Sequence, residues 1–555
     1  MNRVIPLFLS ILVFTVFSNV LTSSVKAQTS TLTLDSTVLE ITTVATGLHV
    51  PWEILWGPDD WLWVTERNGR INRIDPETGT KQLLVTISDC YEYSESGLLG
   101  MALHPEFTDN PYVYVAYNYN SGGNKVKLVR YTYNGTVLTD PTILLTGINA
   151  SSGGNHSGSR LLMLPDQTLL MTTGDYYNDA VAQNLSSLNG KILRINLDGS
   201  VPADNPISGS YVYSWGHRNA QGLVRSPSGI IYSSEHGPSN DDEFNIIEPN
   251  RNYGWPNVEG LCNTSSEISF CTTNNVREPL VVWTPTLAVA GIDFYNHPAI
   301  PEWVGCVLMT NLKAPTFKQL IFDQSGTAII QQKDIINYTY GRLRDICVAP
   351  DGRVFIGTSN QDGRAAGWAG FPQADDDKIL QLRNPSWMPT IPQPDFSFVD
   401  SCLQVQFTNL SLDATSFQWS FGNGYGSNEN NPIHTYLQNG TYNVQLIASN
   451  QYTSDTISYE VTVAQCVLPG ISNPANNSAV QVLPNPVTGK SLIQFPSKFA
   501  GGTLEIIDIN GKTLKTITLP PSDKYTLEKG NMNAGVYYLR ISRNKETITQ
   551  KIVIQ

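Results

Sequence analysis

The stretch from Trp215 to Gly260, WGHRNAQGLVRSPSGIIYSSEHGPSNDDEFNIIEPNRNYGWPNVEG, gathers groups able to hold an anionic ligand and a hard cation. Arg218 and Asn219 set a planar fork of donors beside an amide. Gly237-Pro238 predicts a tight turn whose carbonyls are not all absorbed by a regular ladder. Such carbonyls are hard oxygen ligands of the kind calcium takes, and Asp241, Asp242 and Glu243 follow directly. The same run also fits a solvated acidic loop. Upstream, His156 lies in SSGGNHSGSRL, where small residues permit close approach of a ligand. A neutral imidazole can take a hydroxyl proton near neutral pH when its other nitrogen is held by a carboxylate. Asp175, at the far end of the same predicted hairpin, is placed to hold it; the alternative is that His156 is an ordinary polar loop residue. Lys313, Arg342 and Arg344 join Arg218 as a set of at least four cations. Either solvent and local carboxylates screen them, or they wrap a multiply anionic ligand.

Elements that bring such distant residues together are visible as a loose repeat between about Val44 and Leu382. Its unit is an apolar strand, a Pro-centred turn and a second apolar strand: EILWGPDDWLWVTE, GLLGMALHPEFTDNPYVYVAY, SRLLMLPDQTLLMTTGD, GLVRSPSGIIYSSEHG, GIDFYNHPAIPEWVGCVLMTN and DICVAPDGRVFIGTSN. Further strands lie between the copies, giving units of about four antiparallel strands, which predicts an all-β, six-bladed β-propeller over residues 40–383. In a hairpin, the start of the first strand and the end of the second share one sheet edge. Glu95, His156, Arg218, Asn219, Arg342 and Arg344 precede first strands; Asp175, Gly237, Pro238, Lys313 and Asn360 follow second strands. The repeat therefore predicts that the chemically unusual residues meet at one mouth.

Residues 1–27, with Arg3 before an apolar run and Val25-Lys26-Ala27 at its end, predict a cleaved signal peptide and an exported chain. No later stretch is long and apolar enough for a membrane span. The formal charge of −13 and the lack of a basic cluster exclude nucleic acid as the expected partner. Among seven cysteines, Cys262 and Cys271, and Cys402 and Cys466, are candidate pairs, which leaves Cys90, Cys306 and Cys347.

A Pro-rich linker, 384–394, ends the repeat. Residues 395–465 then read as alternating strands and carry Trp419, Phe421, Gly422, Gly424, Asn431, Pro432, His434, Tyr436, Gly440 and Tyr442 in the order W-x-F-G-x-G…NP-x-H-x-Y-x-x-x-G-x-Y. This resembles the PKD domain, an immunoglobulin-like sandwich, in which His434 is structural. A second linker, 466–481, leads to a final segment, 482–555. Its Pro484-Asn485-Pro486, Asn510-Gly511-Lys512, Gly535-Val536-Tyr537-Tyr538 and closing Lys551-Ile552-Val553 resemble the C-terminal sorting domain of type IX (Por) secretion. The resemblance implies a small β-sandwich, the type IX machinery as partner, and a secreted or surface-attached protein.

The segments WEILWGPDDWLWVTERNGRI, GLLGMALHPEF, the His156 loop, WGHRNAQGL, EHGPSNDDEFNIIEPNRNYGWPNVEG and RLRDICVAPDG resemble soluble pyrroloquinoline quinone (PQQ) glucose dehydrogenases and the related aldose sugar dehydrogenases. That resemblance implies oxidation of the C1 hydroxyl of an aldose to the lactone by hydride transfer to PQQ, followed by an electron acceptor of unknown identity. It makes His156 the general base and Asp175 its orienting partner, and it gives PQQ to Arg218, Asn219, Lys313, Arg342 and Arg344. It assigns the carbonyls of Gly237 and Pro238 to the calcium that polarises the quinone, and Glu243 and Tyr253 to a second, structural calcium. Glu95 stands where the glucose enzymes carry Gln and Asn155 where they carry Asp, both at the sugar. Asn360 replaces a pocket Asp, and Asn263 a calcium-binding Asp. A non-catalytic propeller that binds glycans or a protein at the cell surface is the alternative; such a binder need not keep the basic set.

Overall fold

The computed structural model describes residues 29–314, 316–365, 367–368, 370–465 and 480–555. The expected signal peptide and most of the second linker lie outside the described residues. The chain divides into two compact units, Met1–Ile391 and Pro392–Gln555.

The described residues of the first unit form six antiparallel sheets, five of four strands and one of five. Each begins with a hairpin of the repeat, such as Pro51–Trp56 with Leu62–Glu66 and Leu343–Val348 with Val354–Thr358. The turns follow from their residues. In Ala349–Arg353, Pro-Asp-Gly reverses the chain with Gly352 at φ +85°, and its N–H donates to the Ala349 carbonyl at 2.9 Å. The first strand of each sheet touches that of the next, from Pro51–Trp56 through Leu98–Leu103, Leu161–Met163, Ala220–Arg225, Val289–Tyr295 and Leu343–Val348 back to Pro51–Trp56. The ring is closed. One part of the closure is absent from the repeat: Val38–Ala45 pairs with Ile379–Arg383, so the last sheet takes two strands from the start of the chain.

Second strands are covered on both faces by adjacent sheets, so Leu62–Glu66, Thr168–Thr173, Ile231–Glu235 and Val354–Thr358 are buried at every residue. This is why they read as runs of apolar and small residues rather than as alternation. Tyr114, Leu128, Leu169, Met171 and Leu193 fill one of the spaces between sheets. The inner strands also bury an ionic group: Arg160 pairs with Glu53 and, at 2.9 Å, with Asp345, and its guanidinium lies 4.3 Å from the Trp52 ring centroid. Burial pushes the Glu53 carboxyl up, against the pull of Arg160.

Register places the chemistry. Ala220 pairs with Glu235, Val289 with Asn311 and Leu343 with Thr358, so strand starts and strand ends share one rim. Among the described residues one α-helix, Ser265–Asn274, interrupts the all-β expectation. Thr264 and Glu267 cap it reciprocally, and a disulfide ties Cys271 inside it to Cys262 just before its cap.

In the second unit, residues 393–463 form a three-stranded and a four-stranded sheet around Phe396, Phe407, Trp419, Phe421, Tyr436 and Leu446. His434 stacks on Phe421 at 4.2 Å, with its Nε2 3.0 Å from Asn423 Nδ2. Cys402 is disulfide-bonded; Cys466, its expected partner, lies outside the described residues. Residues 480–554 form two more sheets around Val487, Ile493, Leu504, Leu539 and Ile552. That core is drawn wholly from its own segment. Deleting residues from Val482 onward should therefore leave the activity of the purified protein unchanged, while in a type IX-competent host the truncated chain should accumulate in the periplasm. Fractionation with immunoblotting checks this, and normal surface delivery without the tail contradicts it.

Candidate active site

His156 and Asp175 meet as the hairpin predicts. His156 Nδ1 lies 2.6 Å from Asp175 Oδ1, and both side chains are buried. The carboxylate is fixed from two other sides: the Tyr177 N–H donates to Oδ1 at 3.0 Å and Trp255 Nε1 to Oδ2 at 2.9 Å. Burial pushes the Asp175 carboxyl up, but the His156 contact and the Tyr177 amide outweigh it and hold it below the ordinary carboxylate range. Asp175 is thus an anion that fixes Nδ1, and Nε2 is the nitrogen left to take a proton. His156 adopts φ +56° and its ring stacks on Tyr177 at 4.0 Å between centroids.

The His156 loop rests directly on the strand end that carries Asp175. A Cβ on Gly174 would lie 1.9 Å from the His156 carbonyl oxygen. Gly174→Ala should consequently destabilise the protein by about 1–3 kcal/mol, because the loop must shift to admit a methyl group. Gly367→Ala, where a Cβ meets nothing within 4 Å, should change little. Denaturant midpoints of the two variants provide the comparison.

Beside the dyad is a cavity of about 340 Å³, lined by Lys313, Arg342, Arg344, Arg364 and His236, with Glu95 and Gln221 among its polar walls and Trp52 and Trp368 among its apolar ones. Ser157 and Gly158, the two residues after His156, line it. Arg342 is neutralised by Asp362 at 2.8 Å, and Lys313 Nζ donates to Thr286 Oγ1 at 2.7 Å. Arg344 is different. It is buried, its Nη1 reaches only the neutral Gln221 amide at 3.1 Å, and its Nε has no partner. Burial pulls its guanidinium down to about 9. Among the described residues no carboxylate lies within ion-pair distance of Arg344 or Lys313. A site with cationic donors desolvated in this way fits a carboxylate-bearing ligand.

Arg218 and Asn219 link the dyad to the cavity wall: the Arg218 carbonyl accepts from the Asp175 N–H at 2.8 Å, and Asn219 Oδ1 from the Gly158 N–H at 3.1 Å. Glu235 fixes both backbones, accepting from the Arg218 N–H and, at 3.1 Å, from the Asn219 N–H, while His217 Nδ1 lies 2.9 Å from its other oxygen. Arg218 Nε and Asn219 Nδ2 are buried without partners. Arg218 Nη1 donates to the carbonyls of His236 at 3.1 Å and Gly237 at 2.9 Å. Of the two carbonyls expected to meet calcium, that of Gly237 faces the Arg218 guanidinium together with the His236 carbonyl. The turn itself needs glycine, since a Cβ on Gly237 would lie 1.9 Å from the Asn240 carbonyl.

The acidic residues after the turn do not converge. Asp242 accepts from the Gly237 N–H and Asp241 from Thr284, while Glu243 accepts from Asn245 and from the Gly260 N–H. Burial, with Glu235 opposite it, pushes Glu243 up to about 8. Tyr253 stacks on His217, and its hydroxyl donates to the Ile246 carbonyl at 2.6 Å; it shares no hydrogen-bond partner with Glu243. Asn263 is exposed beside the helix cap. Among the described residues there is no group of three or more His, Cys, Asp or Glu able to hold a metal. Glu95 pairs with Arg364, which also reaches Asn155. Asn360 is structural, accepting from the Arg342 N–H at 2.8 Å. Glu235 and His236 follow a second strand in the repeat and so were placed at the mouth by the sequence, and Gln221 and Trp255 lie in matched segments without a role of their own; Tyr177, Asp362 and Arg364 carried no assignment.

The first unit matches known proteins in sequence and fold. The chain belongs to the glucose/sorbosone dehydrogenase family, whose model matches residues 48–366. Quinoprotein glucose dehydrogenase B of Acinetobacter calcoaceticus is 36% identical over 432 residues, covering 62% of this chain and 88% of that relative. Aldose sugar dehydrogenase YliI of Escherichia coli is 28% identical over 331 residues, covering 57% and 89%. The PQQ-bound structure of an aldose sugar dehydrogenase from Streptomyces coelicolor superposes with a TM-score of 0.55 at 33% identity, covering 64% of this chain and 99% of that one. A PKD domain matches residues 394–463, and a secretion system C-terminal sorting domain matches residues 481–555. The sorting domain marks the protein for type IX secretion to the cell surface or beyond. No helix among the described residues is long and apolar enough to cross a membrane.

Proposed function

We propose that this protein is a PQQ- and calcium-dependent aldose dehydrogenase that oxidises the C1 hydroxyl of a sugar to the lactone. On this reading the six sheets are the blades of a propeller spanning 40–383, PKD and sorting domains span 395–465 and 482–555, and the last is a small β-sandwich. The observation that carries the proposal is an Asp-held histidine beside a cavity whose Arg344 is buried without a carboxylate.

Each residue has a separate task. Asp175 keeps the proton of the imidazole on Nδ1, so His156 Nε2 accepts the proton of the C1 hydroxyl as the C1–H bond breaks. The imidazolium that results is stabilised by the same carboxylate, which Trp255 and the Tyr177 amide hold in place. Lys313, Arg342 and Arg344, with Arg218 and Asn219, would hold the carboxylates and carbonyls of PQQ; the Gly237 and Pro238 carbonyls would hold calcium. Bound there, the two would supply the two-electron acceptor and the Lewis acid that polarises it. Glu95 and Asn155 face the sugar. A second calcium at Glu243 and Tyr253 belongs to the same proposal, as does a separate acceptor that reoxidises the cofactor.

Reduction of an artificial dye, measured with PQQ, calcium and a panel of aldoses, tests this. Activity should require PQQ, disappear with a chelator and return with calcium. A protein that reduces no dye with any aldose would be a binder instead.

A further inference from the structure

The pair Arg364 and Glu95 is explained neither by the proposed cofactor set nor by the propeller ring. Arg364 Nη1 lies 2.5 Å from Glu95 Oε1, and its Nη2 donates to Asn155 Oδ1 at 3.0 Å. The other Glu95 oxygen accepts from the His156 N–H at 3.3 Å, and Asn155 is the residue before His156. Ser94 Oγ also donates to Asn155 Oδ1, at 2.8 Å. One guanidinium, carried on the loop between Val354–Thr358 and Ile379–Arg383 of the last sheet, thus holds both polar groups that flank the His156 backbone. We propose that Arg364 is a positioning residue for His156, fixing its loop through Glu95 and Asn155 and balancing the Glu95 charge beside it.

The two charges act on the imidazole with opposite sign. An anion beside a histidine favours its protonated form, and a cation disfavours it. The groups facing His156 are Asp175 at Nδ1, Tyr177 stacked on the ring and Glu95 at its backbone. Behind Asp175 is Arg218, over the Trp255 ring; behind Glu95 are Arg364 and His236. The Glu95 carboxyl is pushed up by burial but pulled down to about 2 by Arg364 and the neighbouring histidines, and it remains an anion throughout the working range.

This inference rests on His156 being the base, and the experiment separates the two claims. The pH midpoint of the His156 ring resonances is followed by NMR in the cofactor-free full chain, with His156→Gln identifying the signals. Removing the anion in Glu95→Gln should lower the midpoint by roughly 0.5–1 pH unit. Removing the cation in Arg364→Gln should raise it by a similar amount. Arg364→Lys, and the double variant lacking both charges, should lie near wild type. Shifts of the same sign, or none, overturn the proposal even if His156→Gln is inactive. In PQQ-loaded protein the acid limb of kcat/KM should move in the same order. If the resonances move in opposite directions but the limb stays fixed, the positioning role stands and the assignment of His156 as base fails.

Discussion

His156→Gln should bind PQQ and calcium as the wild type does, yet turn over about 10²- to 10⁴-fold more slowly, the usual loss on removing a positioned base. The separation follows from where the residue sits. His156 is held by Asp175, whereas Lys313, Arg342 and Arg344 contact Thr286, Asp362 and Gln221, so the cations at the cavity are untouched by the change. Its hydrogen-bond energy goes into Asp175, and Asp175 keeps its Tyr177 and Trp255 donors when the imidazole is replaced. Steady-state rates against PQQ concentration measure both quantities at once. A variant rescued by excess PQQ would place the base elsewhere.

Arg344→Ala should behave in the opposite way. The guanidinium is buried, has an unpartnered Nε and contacts only the Gln221 amide, so its interaction with an anionic ligand is not shared with a protein carboxylate. A charge-assisted contact of this kind is worth about 1.5–3 kcal/mol, which corresponds to roughly ten- to a hundredfold in affinity. Saturating PQQ should therefore restore most of the turnover. The free protein should lose little stability, because Arg344 pays a desolvation cost that no partner offsets. Titration of PQQ with calcium present, read as bound quinone, gives the affinity directly. An unchanged affinity would show that the cations at this cavity do not hold the cofactor.

Much of this arrangement was legible because it is local. Each hairpin carries its own turn chemistry, as in Pro350-Asp351-Gly352, and the start and end of a hairpin share an edge whatever the rest of the chain does. His156 and Asp175 could be paired on that ground alone. What escaped the sequence is non-local. Val38–Ala45 closes the last sheet against Ile379–Arg383, and nothing in the alternation of a strand names a partner more than three hundred residues away. Arg364 follows the last hairpin in an aperiodic segment, so its contacts to Glu95 and Asn155 had no register to predict them. Trp255 was read only as part of a motif, although its indole holds the second oxygen of Asp175. Aspartates 241 and 242 pointed to a metal loop by type and spacing, yet their carboxylates serve Thr284 and the Gly237 amide.

The central claim is that the basic cavity holds a quinone which the Asp175–His156 dyad uses to oxidise a sugar. Its most direct measurement is the absorbance of bound quinone in the purified chain, loaded with PQQ and calcium and then mixed with single aldoses under anaerobic conditions. Quinone should bind in a one-to-one ratio to the chain, and at least one aldose should bleach it in wild type within the time that His156→Gln leaves it oxidised. Failure of the wild-type protein to retain any quinone, or equal bleaching by the two proteins, would contradict the account.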